Sequence, residues 1–417
     1  MNACLQAGLA PALAQGEDRP RQPAVKLAVL LVGNYLADGQ ESMQRFAAIM
    51  EKELAKAGVD VTLIRPEPFF GRLRSGTGGL GKWLGYLDKF FVFPGRLKRR
   101  IRKLREGREG RLVVHICDHS NAFYTRYLRE VPHLVNCHDL LAVRSSLGEI
   151  PQNPTRWSGR ILQSLVLRGL AGARAIACIS EATRRDLTRL VKGSDARSCV
   201  LENGLNAPFH PVPRAEALAR VQALAHATGK PLPSDGRYLL HVGGDQWYKN
   251  RRCVVELFSE LRRSAAHADC WLMMVGKPLN AELKTLIEAA GLRERVVELP
   301  GVSHDDLCAI YSAAELLLFP SLQEGFGWPV IEAQACGCRV LTTGRPPMND
   351  VGGDAAVYLV PENIPSSFDV LMGVMGEDDA QRQARIGRGF ANVAKYSTAE
   401  MTAKYLALYE KILEGAS

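Results

Sequence analysis

The sequence predicts an α/β protein made of two doubly wound domains, with mostly parallel sheets and a ligand cleft between them. Three observations carry that expectation. Apolar runs of strand length alternate with amphipathic helical segments through most of the chain. The alternation falls into two blocks, one opening near Lys26 and the other at Arg237. Between the blocks stands Asn206-Ala207-Pro208-Phe209-His210-Pro211-Val212-Pro213, whose prolines make it the natural linker. Ligands of open α/β sheets bind beyond the carboxyl ends of the strands, so two such domains facing each other place a site in the cleft.

The elements follow in order. Residues 1–23 contain Ala12-Leu13-Ala14, which resembles a signal cleavage site, but no basic segment precedes it and Pro11 interrupts the apolar run. They are expected to form a disordered leader. The first domain, residues 24–205, opens with a buried strand at 26–33. A helix then starts at Glu41, with Phe46, Ile49, Met50 and Leu54 on one face. Strands are expected at 59–64, 112–116, 133–137 and 174–179, with a further one at 197–201. The second domain, residues 206–398, carries strands at 237–243, 271–275, 296–299, 316–319 and 338–342. A helical stretch at 399–413 lies in the closing segment, 399–417.

Composition narrows the function. No window approaches eighteen uninterrupted apolar residues, so no membrane-spanning helix is expected. Ten scattered cysteines without C-x-x-C pairs fit buried thiols in a reducing cytoplasm. The formal charge of +9 is concentrated in Arg96-Leu97-Lys98-Arg99-Arg100-Ile101-Arg102-Lys103-Leu104-Arg105. This run follows Trp83, Tyr86, Phe90, Phe91 and Phe93, interleaved with Lys82 and Lys89. Basic side chains beside aromatic rings suit an anionic membrane surface, so residues 82–105 are read as a peripheral membrane contact at the cytoplasmic face. A solvated loop serving only solubility is the plainer reading. Nucleic acid is not expected, because no recognised nucleic-acid module accompanies the run.

The chemistry concentrates in Glu324-Gly325-Phe326-Gly327-Trp328-Pro329-Val330-Ile331-Glu332, between a buried strand and a helix. Gly325 and Gly327 let the backbone approach a ligand closely, and the helix start offers N–H groups to an anion. Glu324 on the loop and Glu332 two turns later are acceptor-only groups suited to the hydroxyls of a sugar and a ribose. A tight turn with two solvated glutamates is the competing reading. After the strand at 237–243, Gly243-Gly244 with Lys249 makes a plausible diphosphate cradle, in which Lys249 would neutralise a departing nucleoside diphosphate. A glycine turn with an exposed lysine is the alternative. In the first domain, Asp38-Gly39 at a helix entry would admit an acceptor or phosphate, or form a plain turn. His138, closing the strand at 133–137, is placed facing the cleft. Ser180 reads as an N-cap, and Glu202-Asn203-Gly204 as a turn.

The order of these pieces resembles the retaining glycosyltransferases of family 4, which have the GT-B fold. The resemblance runs from about Val25 to the C-terminus and centres on the E-x7-E element, Glu324 to Glu332. Cys178-Ile179-Ser180-Glu181-Ala182, Glu202-Asn203-Gly204-Leu205, Val275-Gly276-Lys277 and Ala335-Cys336-Gly337-Cys338-Arg339-Val340 support it. It implies that Glu324 holds donor-sugar hydroxyls, helped by the backbone of Gly325, Phe326 and Gly327. It implies further that Glu332 grips the ribose, that Lys249 binds the diphosphate, and that His138 lies near the reacting sugar. Transfer would proceed with retention, the leaving phosphate taking the acceptor's proton. No cofactor or metal is implied, and the chain has no Asp-x-Asp pair. The helical stretch at 399–413 would cross back to the first domain.

Three departures from the family pattern stand out. Gly244-Asp245 replaces a common Gly-Arg; either Arg251 or Arg252 supplies that charge, or phosphate binding rests on Lys249 alone. Asp38-Gly39 stands where Gly-Gly is common, and Trp328 where a smaller apolar residue is usual. Trp328 either narrows the sugar pocket or packs in the core. The expected activity is hexose transfer from a UDP- or GDP-sugar to a glycan or lipid-linked acceptor of the cell surface. A non-transferring GT-B enzyme, such as a sugar-nucleotide epimerase, and a non-catalytic nucleotide-binding subunit are the rivals.

Overall fold

A computed structural model describes residues 26–73, 79–106, 111–234 and 236–415. The expected leader, residues 1–23, and the side chain of Lys82 lie outside the described residues.

Twelve strands form two six-stranded parallel sheets among these residues. The first contains β1 (Ala28–Val32), β2 (Asp60–Ile64), β3 (Leu112–Ile116), β4 (His133–Cys137), β5 (Ala175–Cys178) and β6 (Ser198–Val200), in the spatial order β2-β1-β3-β4-β5-β6. The second contains β7 (Tyr238–Gly243), β8 (Trp271–Gly276), β9 (Val296–Leu299), β10 (Leu316–Phe319), β11 (Val340–Thr343) and β12 (Val357–Leu359), in the order β12-β11-β10-β7-β8-β9. Helices cover both faces, so strands such as β1 and β3 are buried along their whole length and read as unbroken apolar runs. Each sheet has core clusters on its two faces.

Strand order locates the site. The direction of winding reverses between β1 and β3 in the first sheet and between β7 and β10 in the second. Loops leaving such paired strands diverge and open a crevice at their carboxyl ends. In the first sheet these are the segments after Val32 and Ile116; in the second they follow Gly243 and Phe319.

The cationic run is helical rather than a loop. A continuous helical segment comprises Gly79–Leu87, a π-turn at Asp88–Val92 and the helix Phe93–Arg105. Phe93, Leu97, Ile101 and Leu104 point into the core, and the arginines and lysines take the other face. Phe93 is therefore core and not available to a membrane, whereas Trp83 and Phe91 are 60% and 75% exposed.

The helix Thr398–Glu414 lies on the first domain. Its Tyr405 hydroxyl donates to Asn136 Oδ1 at 2.9 Å, and its Tyr409 hydroxyl meets His115 Nδ1 at 2.7 Å. His115 Nε2 in turn lies 2.9 Å from Asn136 Oδ1. Burial lowers the His115 pKa to about 4, so the ring is neutral and can accept from Tyr409.

Candidate active site

At the crevice of the second sheet, the loop after β7 ends in a short helical turn, Trp247–Lys249. Asn250 follows at φ 50°, the one non-glycine residue with positive φ among the described residues. Its side-chain amide donates to the Pro320 carbonyl at 3.2 Å, while Leu322 N–H donates to the Tyr248 carbonyl at 2.7 Å. These bonds lace the β7 loop to the β10 loop. They bring Lys249 Nζ within 2.6 Å of Glu324 Oε1, and both side chains are largely buried. The Lys249 ammonium also stands 5.0 Å from the Phe319 ring centre.

Glu332 lies on the helix Trp328–Ala335 and is 4% exposed. Asn206 Nδ2 donates to its Oε1 at 2.6 Å and the Tyr311 hydroxyl to its Oε2 at 2.9 Å. Burial raises its pKa, with the Asn206 and Tyr311 hydrogen bonds opposing that rise. Each carboxylate oxygen has a second lone pair, so both can still accept a hydroxyl. Gly327, at φ 106°, turns the chain into this helix. The Phe326 side chain packs on Tyr396 and Trp328, so only its backbone can address a ligand. Trp328 Nε1 donates to the Gly204 carbonyl at 3.0 Å and the ring joins core clusters of both domains, which makes it an interdomain packing residue.

The first domain meets this loop directly. A Cβ on Gly325 would fall 2.1 Å from the His138 carbonyl oxygen, so only glycine fits that approach. The His138 side chain is 2% exposed. Its Nε2–H donates to the Cys117 carbonyl at 2.8 Å, leaving Nδ1 as an acceptor without a partner. Burial lowers its pKa and keeps the ring neutral. Phe46 packs edge-on against it at 4.8 Å and fixes its plane.

Beside His138, the crevice of the first sheet holds a polar network. The Asn34 side-chain amide donates to Asp118, Ser120 N–H donates to Asp118 Oδ1 at 3.1 Å, and His119 Nδ1 pairs with the same oxygen at 3.0 Å. Burial disfavours charge on both partners, yet each outweighs it for the other: Asp118 is held well below the usual carboxylate range and the His119 pKa is raised. Asp38 is exposed and pairs with Lys89, and Gly39 takes φ 65° to end the short helical turn Leu36–Asp38, just before the helix Glu41–Lys56.

The structure thus gathers Lys249, Glu324, Gly325, Gly327, Glu332 and His138 at facing crevices. Arg251 and Arg252 have other partners. Arg251 is 4% exposed, donates to the carbonyls of Lys277 at 2.9 Å and Pro278 at 3.3 Å, and lies 3.6 Å from Asp245. Arg252 is exposed and paired with Glu256 at 2.8 Å and Glu282 at 3.4 Å. Sequence reasoning missed Asn206, Tyr311, Asp118 and His119. Asn206 stood close to a recognised motif, two residues after Gly204, but was assigned to the linker. Tyr311 had no signal beyond a core helix.

Two facing Rossmann-like domains, with the Gly325 loop of one set against the His138 carbonyl of the other, define a GT-B protein. The model of glycosyl transferases group 1 matches residues 226–385, and that of glycosyltransferase family 4 matches residues 43–207. The chain belongs to the glycosyltransferases of the family 4 type. It is 24% identical to the O-antigen chain mannosyltransferase B of Escherichia coli over 60% of this chain and 64% of that one. It is 30% identical to the D-inositol 3-phosphate glycosyltransferase of Salinispora tropica over 66% of this chain and 58% of that one. The chain therefore spans less than two thirds of the length of these curated relatives. The sucrose-phosphate synthase of Thermosynechococcus elongatus superposes with a TM-score of 0.71 at 18% identity, covering 94% of this chain and 100% of that one.

Proposed function

We propose that this protein transfers a hexosyl group from a nucleoside-diphosphate sugar to a glycan or lipid-linked acceptor in cell-surface polysaccharide biosynthesis. In this reading transfer retains configuration and needs no metal. The observation that carries it is the Lys249–Glu324 pair at the crevice of the second sheet, with the neutral His138 opposite. When the donor enters, the diphosphate takes Lys249 and the sugar hydroxyls take Glu324, so the ion pair is exchanged for substrate contacts. Loss of the nucleoside diphosphate is then assisted by a cation already positioned for the developing charge. Glu332 accepts from the ribose hydroxyls, with Asn206 and Tyr311 fixing its orientation. His138 Nδ1 accepts from a hydroxyl of the reacting sugar, and a departing phosphate oxygen takes the acceptor's proton. Membership of the family and the name of the E. coli relative support this reading.

The protein would work at the cytoplasmic face of the membrane. The exposed Trp83 and Phe91 beside the basic face of the Phe93–Arg105 helix support a peripheral contact. No helix among the described residues is long and apolar enough to cross a membrane.

Calorimetry with UDP and GDP, followed by release of nucleoside diphosphate from UDP- and GDP-hexoses, tests the activity. Binding of one nucleotide, weakened in Lys249→Ala, together with acceptor-dependent release, is the expected result. A protein that binds neither nucleotide and releases neither overturns it. The anomeric proton coupling of the product decides retention.

A further inference from the structure

A second cationic feature stands apart from the residues assigned to the donor. Beside the outer edge of β2, the Phe93–Arg105 helix leaves a groove of about 350 Å³. Leu63, Ile64 and Phe93 contribute apolar walls, while Arg65, Arg96, Arg99, Arg100 and Lys103 bring five cationic groups and Glu67 a single carboxylate. Glu67 is matched by Arg96 at 2.8 Å, and Arg100 donates to Thr62 Oγ1 at 3.1 Å. Arg65, Arg99 and Lys103 form no ion pair among the described residues. The helix dipole accounts for cations in the last turn, at Arg102, Lys103 and Arg105, but not for Arg96, Arg99 and Arg100 further back. Like charges held together over an apolar floor repel one another, and an anion placed among them relieves that repulsion.

The groove is also braced. Asp88, in the π-turn, is 1% exposed and accepts the backbone N–H groups of Phe69, Phe70 and Gly71 at 3.1, 2.9 and 3.1 Å. It thereby ties the segment that leaves β2 to the helix that forms the opposite wall. The groove reaches the carboxyl end of β2, where Arg65 Nε would lie 3.5 Å from a Cβ on Gly33, the first residue after β1. It therefore adjoins the crevice of the first sheet.

We infer that this groove binds a phosphoryl group, and that the acceptor, on the reading proposed above, carries that group. Guanidinium groups recognise phosphate oxygens through paired N–H bonds, and several converging ones distinguish a phosphorylated ligand from a neutral glycan. The same chemistry serves a soluble phosphorylated acceptor and a lipid phosphate headgroup.

The test uses the full chain and the double variant Arg99→Gln/Lys103→Gln, whose two sites are exposed and leave Leu97, Ile101 and Leu104 in place. Inorganic phosphate is titrated by calorimetry into wild type, the double variant and Lys249→Ala. Sedimentation with vesicles of phosphatidylcholine, alone or mixed with phosphatidic acid, distinguishes the lipid source. We expect phosphate affinity to fall about tenfold or more in the double variant and to persist in Lys249→Ala. Selective sedimentation with phosphatidic acid, lost in the double variant, assigns the site to a headgroup; phosphate binding without it assigns a soluble acceptor. Equal phosphate affinity in wild type and double variant overturns the inference, as does a site abolished by Lys249→Ala alone. UDP and GDP affinity is measured alongside and should not change in the double variant. Failure of nucleotide binding by wild type would remove the proposed transfer and leave the groove result standing.

Discussion

Replacing Glu332 tests a structural and a functional claim together. Its carboxylate receives Asn206 Nδ2–H at 2.6 Å and the Tyr311 hydroxyl at 2.9 Å, deep in the second domain. Hydrogen bonds to a charged group contribute about 1.5–3 kcal/mol each, and burial of the charge offsets part of that. The raised pKa of Glu332 reports this offset. Deleting the side chain removes the burial term but strands two donors, at about 1–3 kcal/mol each, beside a new void. Glu332→Ala should therefore destabilise the protein by about 2–4 kcal/mol. Glu332→Gln keeps the volume and one acceptor oxygen but turns its NH2 towards a donor, so about 1–2 kcal/mol is expected. The same oxygens would hold the ribose. Losing one hydroxyl–carboxylate bond should weaken UDP or GDP binding by about 10- to 100-fold. Urea unfolding and calorimetry read the two effects separately, with Tyr311→Phe as the variant that removes one donor to Glu332 and leaves its carboxylate in place. A folded Glu332→Gln protein that binds both nucleotides as tightly as wild type would refute the ribose assignment. An unchanged unfolding midpoint in Glu332→Ala would refute the packing argument.

Two further tests address the facing loops. Gly325→Ala would set a methyl group 2.1 Å from the His138 carbonyl, where real contacts lie beyond 3.0 Å, so the loops must part. A displacement of about 1 Å should lower turnover about a hundredfold with a smaller loss of nucleotide affinity; wild-type turnover in this variant would mean that the loop approach is incidental. The Asp118–His119 pair predicts a pH signature. Because the His119 pKa is raised on folding, its contribution is complete below about pH 6.5 and is lost as pH rises through the folded value. Because the Asp118 pKa is depressed, its contribution is present above about pH 3.9 and is lost as pH falls through the folded value. Urea midpoints of His119→Gln should lie below wild type near pH 6 and converge with it towards alkaline pH; a constant offset would rule the pair out.

Periodicity and turn residues made the two sheets legible. Ten of the twelve strands are apolar runs long enough to recognise, and Ser198–Val200 announced itself faintly. Val357–Leu359 was invisible, since three residues following the short helical turns Met348–Gly352 and Gly353–Ala355 carry no period. The Phe93–Arg105 helix was legible only as charge: its inward residues keep helical spacing, but ten residues rich in arginine and lysine hide it. In the site, Glu324, Glu332 and Lys249 were readable because they flank glycine turns at strand ends. Asn206 and Tyr311 were not, because their role exists only once separate parts of the second domain close on Glu332. Arg251 looked available for phosphate by position alone; its occupation by two carbonyls is a tertiary fact.

The position of the Thr398–Glu414 helix has a consequence for biosynthesis. The first half of the chain leaves the ribosome long before Tyr405 and Tyr409 exist. Until they arrive, His115 and Asn136 lack the hydroxyls that complete their hydrogen bonds, and the core that Phe46 and Met50 share with that sheet is left incomplete. The amino-terminal domain thus cannot reach its final form during its own translation. A nonsense codon just before this helix would damage the domain made first.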